Sequence, residues 1–250
     1  MERFILEACV DSVESAVAAK RGGAGRLELC ANLIIGGTTP SLALFDAVRE
    51  AVDIPVNVLI RPRFGDFLYT DSEYEVMCRD IKEFAQRGAN AVVIGALRPD
   101  GTLDREKMAG MAAASCGLRI TMHRAFDVCR DPAQTLEEAV SLGVDTILTS
   151  GQQANAWEGR ACIGRVLEQA GDRADILIGG GVNAQMIREM RRELPGARCF
   201  HLSGKKVLDS GMIFRNPKVS MGLPGISEFQ VWRTDTSAIR QAADALQEEI

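Results

Sequence analysis

Histidine is scarce in this 250-residue sequence, and closely spaced cysteine pairs are absent. The chain has two histidines, and its seven cysteines are scattered without a single Cys-x-x-Cys. Two imidazoles cannot build a three-histidine metal centre or an H-E-x-x-H site. An odd number of scattered cysteines argues against a disulfide framework, a zinc knuckle and a thioredoxin-type redox pair. We therefore expect reduced thiols.

The sequence also lacks long apolar runs, a basic excess and nucleotide-binding motifs. No run approaches 18 apolar residues, and the first residues resemble no signal peptide. A net charge of −5 provides no positive field for nucleic acid or anionic lipid. Without a G-x-G-x-x-G or Walker sequence, no nucleotide cofactor is expected. These features predict a cytoplasmic protein that binds neither nucleic acid nor membranes.

What the chain does contain is a repeat of short aliphatic runs and amphipathic segments, spaced by roughly 25–30 residues. Eight such units in one chain of this length predict a (β/α)8 TIM barrel, a single domain over residues 1–250. The predicted strands are 3–9, 26–30, 56–61, 90–95, 118–123, 144–149, 174–179 and 198–203.

One connection is much longer than the spacing of the repeat allows. Residues 204–234 follow the eighth predicted strand and are rich in Gly, Pro and Met. Loops that follow strands lie at the functional face of such a barrel, so this segment is a candidate lid. The alternative is an inserted Ω-loop that covers the barrel end for stability.

Side chains alternate along a strand, so the polar set of each strand is expected inside the barrel. This places Glu7 and Cys9 of the first strand, and Glu28 and Cys30 of the second, in the interior. Because each cysteine follows its glutamate by two residues, we expect both thiols nearer the mouth, by about 6.5–7 Å along the strand. Strands three, five, six and eight add Arg61, His123, Thr149, His201 and Ser203.

Two interpretations of these polar residues stay open. In an isomerase, epimerase or lyase, Glu7 or Glu28 would act as base, His123 or His201 as acid, and Arg61 would stabilise developing negative charge. One glutamate should then have a raised pKa, unless Arg61 neutralises both. In the alternative, the same groups form a structural Glu–Arg–Glu salt-bridge cluster.

The turns after strands seven and eight contain a candidate phosphate site. Gly180 and Gly181 lead towards a predicted helix, Ser203 ends the last predicted strand, and Lys205 follows it. Barrel enzymes often bind phosphate at these two loops. The alternative is a tight turn in which Asn183 caps the helix.

Several motifs resemble the CutC copper-homeostasis family over residues 2 to about 240. The resemblance implies a cytoplasmic (β/α)8 barrel that is often a homo-oligomer, with a role in copper homeostasis. The matching segments are 7–12 (EACVDS), 22–30 (GGAGRLELC), 36–41 (GGTTPS), 60–63 (IRPR), 65–67 (GDF), 123–127 (HRAFD) and 148–151 (LTSG).

The resemblance implies Cu(I) binding at Cys9 and Cys30, the two thiols that strand alternation also places inside. Thiolates are suitable soft ligands for Cu(I). As an alternative, both cysteines are small buried apolar residues. Two functional hypotheses result: a Cu(I)-binding protein, or an enzyme without a metal that acts on a small anionic or phosphorylated metabolite.

Overall fold

A computed structural model describes residues 4–216, 218–219, 222 and 225–248, and its centre is a closed barrel of parallel strands. The strand order follows the sequence, and β1 closes the barrel against β8. The predicted TIM barrel is confirmed. The barrel strands are β1 (Ile5–Val10), β2 (Arg26–Leu29), β3 (Val56–Leu59), β4 (Ala91–Ile94), β5 (Arg119–Met122), β6 (Thr146–Thr149), β7 (Asp175–Ile178) and β8 (Cys199–Leu202).

Helices alternate with these strands and form the outer layer. The helices are α1 (Val13–Gly22), α2 (Leu42–Ala51), α3 (Asp71–Gln86), α4 (Arg105–Ala114), α5 (Pro132–Ser141), α6 (Arg160–Ala170), α7 (Ala184–Glu193) and α8 (Thr236–Gln247). None of the helices within the described residues is long and apolar enough to cross a bilayer.

Helix α3 shows how local sequence produces this layer. Thr70 accepts a hydrogen bond from the Glu73 backbone, and the Glu73 carboxylate accepts one from the Thr70 backbone, forming a capping box. Its apolar residues recur at helical spacing, so Met77 and Phe84 are buried on one face. The Phe84 ring meets Phe45 edge-on at 5.4 Å between centroids, which joins α3 to α2.

The interior of the barrel is distinct from the core under the helices. Leu6, Ala8 and Leu27 belong to the large outer core, whereas Cys9 and Cys30 share a smaller cluster with Leu59, Val93 and Leu33. The alternation predicted for β1 and β2 is therefore confirmed. Strand β6 differs: Leu148 lines the cavity described below, and Thr149 instead donates to Asp127 at 2.6 Å.

The register of β1 sets the depth of the polar groups. Glu7 lies opposite Arg26 of β2 and opposite His201 of β8, while Cys9 lies opposite Glu28. Within each strand the cysteine lies two residues beyond its glutamate, but Cys9 lies beside Glu28 of the next strand, so the two thiols form no separate layer above both carboxylates. The reason is the stagger between neighbouring strands, which closing a barrel requires.

The long connection after β8 has secondary structure of its own. Strands β9 (Lys205–Asp209) and β10 (Gln230–Thr234) form an antiparallel two-stranded sheet, and α8 follows directly. The chain therefore leaves the barrel and returns to it as a ribbon. Whether this ribbon acts as a lid or only as a cover stays a prediction.

Candidate functional site

A cavity of about 450 Å³ opens where the barrel strands end, and β10 supplies part of its wall. Most of the residues singled out from the sequence line it. Glu7 and Thr149 are exceptions, since Glu7 lies beneath the cavity with 1% of its surface exposed and Thr149 is fully buried. The lining includes Cys9, Glu28, Cys30, Arg61, His123, Gly180, Gly181, His201, Ser203 and Lys205.

Glu7 is buried, and both oxygens of its carboxylate have hydrogen-bond partners. Its carboxylate accepts hydrogen bonds from Arg26 Nε at 2.5 Å, Asn57 Nδ2 at 3.0 Å and His201 Nδ1 at 2.9 Å. Burial raises the pKa of Glu7, but the Arg26 and His201 charges lower it overall. Glu7 is therefore an ionised group that fixes its neighbours.

Glu28 is the glutamate with the raised pKa. Burial is the main cause, the nearby Glu7 charge adds to it, and His201 opposes it. The Cys30 thiol donates to Glu28 Oε2 at 3.4 Å, and burial together with the Glu28 charge raises the pKa of Cys30 well above its usual value. The prediction that one of the two glutamates has a raised pKa is confirmed.

His201 joins the two glutamates to Cys9. Its Nδ1 donates to Glu7, and its Nε2 lies 3.7 Å from Glu28 Oε2. Burial lowers the pKa of His201, but the Cys9 and Glu28 charges raise it well above the usual value. Donor atoms of Cys9, Glu28 and His201 all lie within 4.8 Å of one another. We call these three residues the Cys9–Glu28–His201 cluster.

The arginine that neutralises a glutamate is Arg26, not Arg61. Arg61 donates instead to backbone carbonyls, to Gly37 at 2.9 Å and Gly65 at 2.8 Å, and its guanidinium lies 5.1 Å from the centre of the Phe67 ring. The proposed Glu–Arg–Glu cluster with Arg61 is therefore wrong. Arg26 was missed, although it has the same strand parity as Glu28 and is therefore expected inside.

His123 stands on the Arg61 side of the cavity as a neutral imidazole. Its Nδ1 accepts a hydrogen bond from the Ala125 backbone at 3.2 Å, and its ring lies 4.8 Å from that of Phe67. Burial and the Arg61 charge lower the pKa of His123 to about 3. At neutral pH it can donate a hydrogen bond, but it does not hold the extra proton of an imidazolium acid.

The turn after β7 is tight and leads directly into the N-terminus of α7. Gly180 and Gly181 have φ of 97° and 76°, in the left-handed region that favours glycine. Asn183 caps α7 by accepting from the Met186 backbone at 3.0 Å, so the capping alternative is confirmed. Phosphate binding at this turn stays a prediction.

The rim of the cavity carries more positive than negative groups. Lys205 Nζ lies 3.4 Å from the centre of the Trp232 ring, and Arg124 is fixed by Asp127 at 2.6 Å. Arg233 also lines the cavity. Sequence reasoning missed Arg124, Trp232 and Arg233, because loop side chains follow no strand alternation. The rim favours anionic molecules although the chain as a whole is acidic.

Fold and cavity together define a TIM-barrel protein with a thiol, an imidazole and a carboxyl group clustered at its mouth. The CutC family model matches residues 4–206, and this chain belongs to that family. It is 46% identical over 238 residues to a mouse protein named as a copper homeostasis protein cutC homologue, covering 95% of this chain and 87% of the mouse protein.

Two bacterial relatives agree with this assignment. A CutC protein of Bacteroides fragilis is 41% identical over 248 residues, covering 99% of this chain and 98% of its own. A crystal structure of a CutC protein from Streptococcus agalactiae superposes with a TM-score of 0.76 at 31% identity, covering 80% of this chain and 98% of that one. The similarity therefore extends along nearly the whole chain.

Proposed function

We propose that this protein binds Cu(I) as its cargo in copper homeostasis. In this proposal Cys9 and His201 are the principal ligands of the ion. The observation that carries the proposal is the Cys9–Glu28–His201 cluster, whose donor atoms lie within 4.8 Å of one another. The copper homeostasis names of the relatives support the same class of cargo.

The donor set fits a soft metal ion in part. A thiolate and an imidazole suit Cu(I), whereas a carboxylate oxygen suits harder ions. Cys30 shares the apolar cluster of Cys9 and can supply a second thiolate once its proton leaves. That proton is costly to remove because burial raises the pKa of Cys30, so we expect Cys30 to contribute less to Cu(I) affinity than Cys9 does.

Glu7 has a supporting role in this proposal. It accepts the Nδ1 proton of His201, so Nε2 becomes the metal-binding nitrogen once the ion displaces the second ring proton that the raised pKa of His201 retains. A carboxylate behind a ligating histidine fixes the tautomer and the ring orientation. Asn57 and Arg26 hold Glu7 in turn.

The test is a competitive Cu(I) titration of the reduced protein against a chelator of known affinity. We expect Cys9→Ser to remove the tightest site, His201→Gln to weaken it, and Cys30→Ser to weaken it less than Cys9→Ser. Cys116→Ser is the matched control, because Cys116 is exposed and lies outside the cavity lining. If the Cys9→Ser/Cys30→Ser double variant keeps the tightest site, the assignment is wrong.

The raised pKa of Glu28 favours a second candidate, a metal-independent isomerase, epimerase or lyase acting on a small anion. A carboxyl group that faces a cavity and resists ionisation is suited to moving a proton. The test is incubation of a metabolite extract with the protein in D2O. An enzyme of this kind introduces deuterium into one metabolite, and Glu28→Gln abolishes it. No incorporation in any metabolite contradicts this candidate.

A further inference from the structure

Arg61 is a buried cation without an acidic partner among the described residues. It is 8% exposed, and every ion pair within that part of the chain involves other groups. Its terminal nitrogens donate to the carbonyls of Gly37 and Gly65, while its Nε has no hydrogen-bond partner. Burial raises the pKa of the nearby Tyr69 hydroxyl to about 12, and the charge and hydrogen bonding of Arg61 oppose this shift, although neither the hydroxyl nor Arg61 Nε has a partner at full hydrogen-bond geometry.

His123 offers a second donor without an acceptor. Because its Nδ1 accepts from the Ala125 backbone, the ring proton of the neutral imidazole lies on Nε2. The residue is 4% exposed, and Nε2 has no partner within the described structure. A buried donor is normally satisfied by protein, by water or by a ligand.

Arg61 and His123 lie beside the same aromatic ring, and the Arg61 charge acts on His123. Phe67 contacts both, with the Arg61 guanidinium 5.1 Å and the His123 ring 4.8 Å from its own ring centre. Both residues line the cavity. Bonds to backbone hold each of them, since Arg61 is anchored by two loops and His123 by the Ala125 amide. Donors fixed in this way before binding lose little entropy when an acceptor arrives.

We propose that Arg61 and His123 bind the carboxylate of a small organic acid, with Arg61 Nε and His123 Nε2 donating to its oxygens. The cavity is large enough for such a molecule, and the Lys205 and Arg233 side chains at the rim favour further negative groups on it. This site goes beyond copper binding and does not rest on it, because neither residue belongs to the Cys9–Glu28–His201 cluster.

Charge favours a carboxylate over a phosphate at this position. The pair carries one uncompensated positive charge, that of Arg61, because His123 is neutral. One carboxylate neutralises one charge. A phosphate dianion would keep a second negative charge in a buried place, and such a charge is costly without a partner.

The test uses malonate as the probe and the full-length, metal-free protein. Histidine ring 15N NMR reports the site directly, because the chain has two histidines and His123→Gln assigns one of them. Malonate should shift the His123 Nε2 resonance saturably. By calorimetry, Arg61→Lys and His123→Phe should each bind malonate at least about tenfold more weakly. His123→Gln keeps a side-chain N–H donor, so it should lose less malonate affinity than His123→Phe.

Arg173→Lys is the matched control for Arg61→Lys and should bind malonate as the wild type does, because Arg173 is exposed and lies outside the cavity lining. Circular dichroism checks each fold, and His123→Gln carries the test if His123→Phe does not fold. The proposal is overturned if malonate leaves the His123 resonance unchanged, or if Arg61→Lys binds as the wild type does. It is also overturned if inorganic phosphate binds more tightly with the same dependence on His123. None of these results affects the copper assignment, which the Cys9→Ser titration decides.

Discussion

The His201 imidazole donates its Nδ1–H to the buried Glu7 carboxylate over 2.9 Å, across the seam where β8 closes the barrel against β1. This bond joins residues 194 positions apart in the chain. It turns His201 so that Nε2 lies beside Glu28, and Arg26 completes the charge balance of Glu7. The Cys9–Glu28–His201 cluster is therefore built on the closure of the fold.

Replacing Glu7 tests this charge balance. Glu7→Gln keeps the size and an acceptor oxygen, but it leaves Arg26 buried without its anion. Breaking a buried pair in this way typically costs about 3–5 kcal/mol, so we expect a loss of that order in the free energy of unfolding by urea. Asp53→Asn is the control, because it breaks the surface pair with Lys20 and should change stability little. Equal effects of the two variants would contradict the prediction.

His123 predicts a pH dependence of stability in the acid range. Its folded-state pKa is lowered to about 3, below the usual histidine value of about 6.5. The contribution of neutral His123 to the free energy of unfolding is complete above pH 6.5 and is lost as the pH falls to about 3. In this range the histidine is protonated in the unfolded chain but not in the folded protein. Within this window, His123 alone lowers the free energy of unfolding by about 1.4 kcal/mol for each pH unit of acidification.

The measurement compares urea unfolding of the wild type and His123→Phe across this window. His201 acts in the opposite direction, since its folded-state pKa is raised and its contribution is lost as the pH rises. It is present in both proteins, so the difference between them isolates His123. We expect that difference to shrink steadily below pH 6.5, and a constant difference would show that His123 takes up its proton at the same pH in the folded and unfolded states.

Gly95 supplies the space for the His123 ring. A Cβ at this position would lie 2.6 Å from Cε1 and 2.7 Å from Nδ1 of His123. Gly95→Ala should therefore displace the ring, reduce stability by about 1–3 kcal/mol and weaken malonate binding. Gly211→Ala is the control, because its Cβ meets nothing. Wild-type malonate affinity in Gly95→Ala would show that the position of His123 is unimportant for binding.

The ribbon formed by β9 and β10 can be tested as a lid through its tryptophan. The chain has two tryptophans, Trp157 and Trp232, and Trp232 lines the cavity. In Trp157→Phe we expect malonate to protect Trp232 from quenching by acrylamide, because a closing ribbon shields the indole. Trp232→Phe, which reports Trp157, should show no ligand effect. Unchanged quenching of Trp232 would favour the static cover.

The sequence by itself determined the eight β/α units and the interior faces of the first two strands. Both follow from local periodicity: a run of alternating residues such as 5–9 can bury only one parity under the helices. Strand alternation alone therefore selects Glu7, Cys9, Glu28 and Cys30 as interior groups. The family resemblance rested on continuous motifs and needed no tertiary information either.

Only the tertiary structure decided which of these groups meet. The stagger between strands brings Glu7 opposite Arg26 and His201, and Cys9 opposite Glu28, whereas strand alternation leaves the level of each residue open. The same holds for Arg61, whose partners are carbonyls of two loops with no periodic signal. Parity is a property of one strand, but proton affinity and metal geometry depend on distances across strands, which exist only once the barrel has closed.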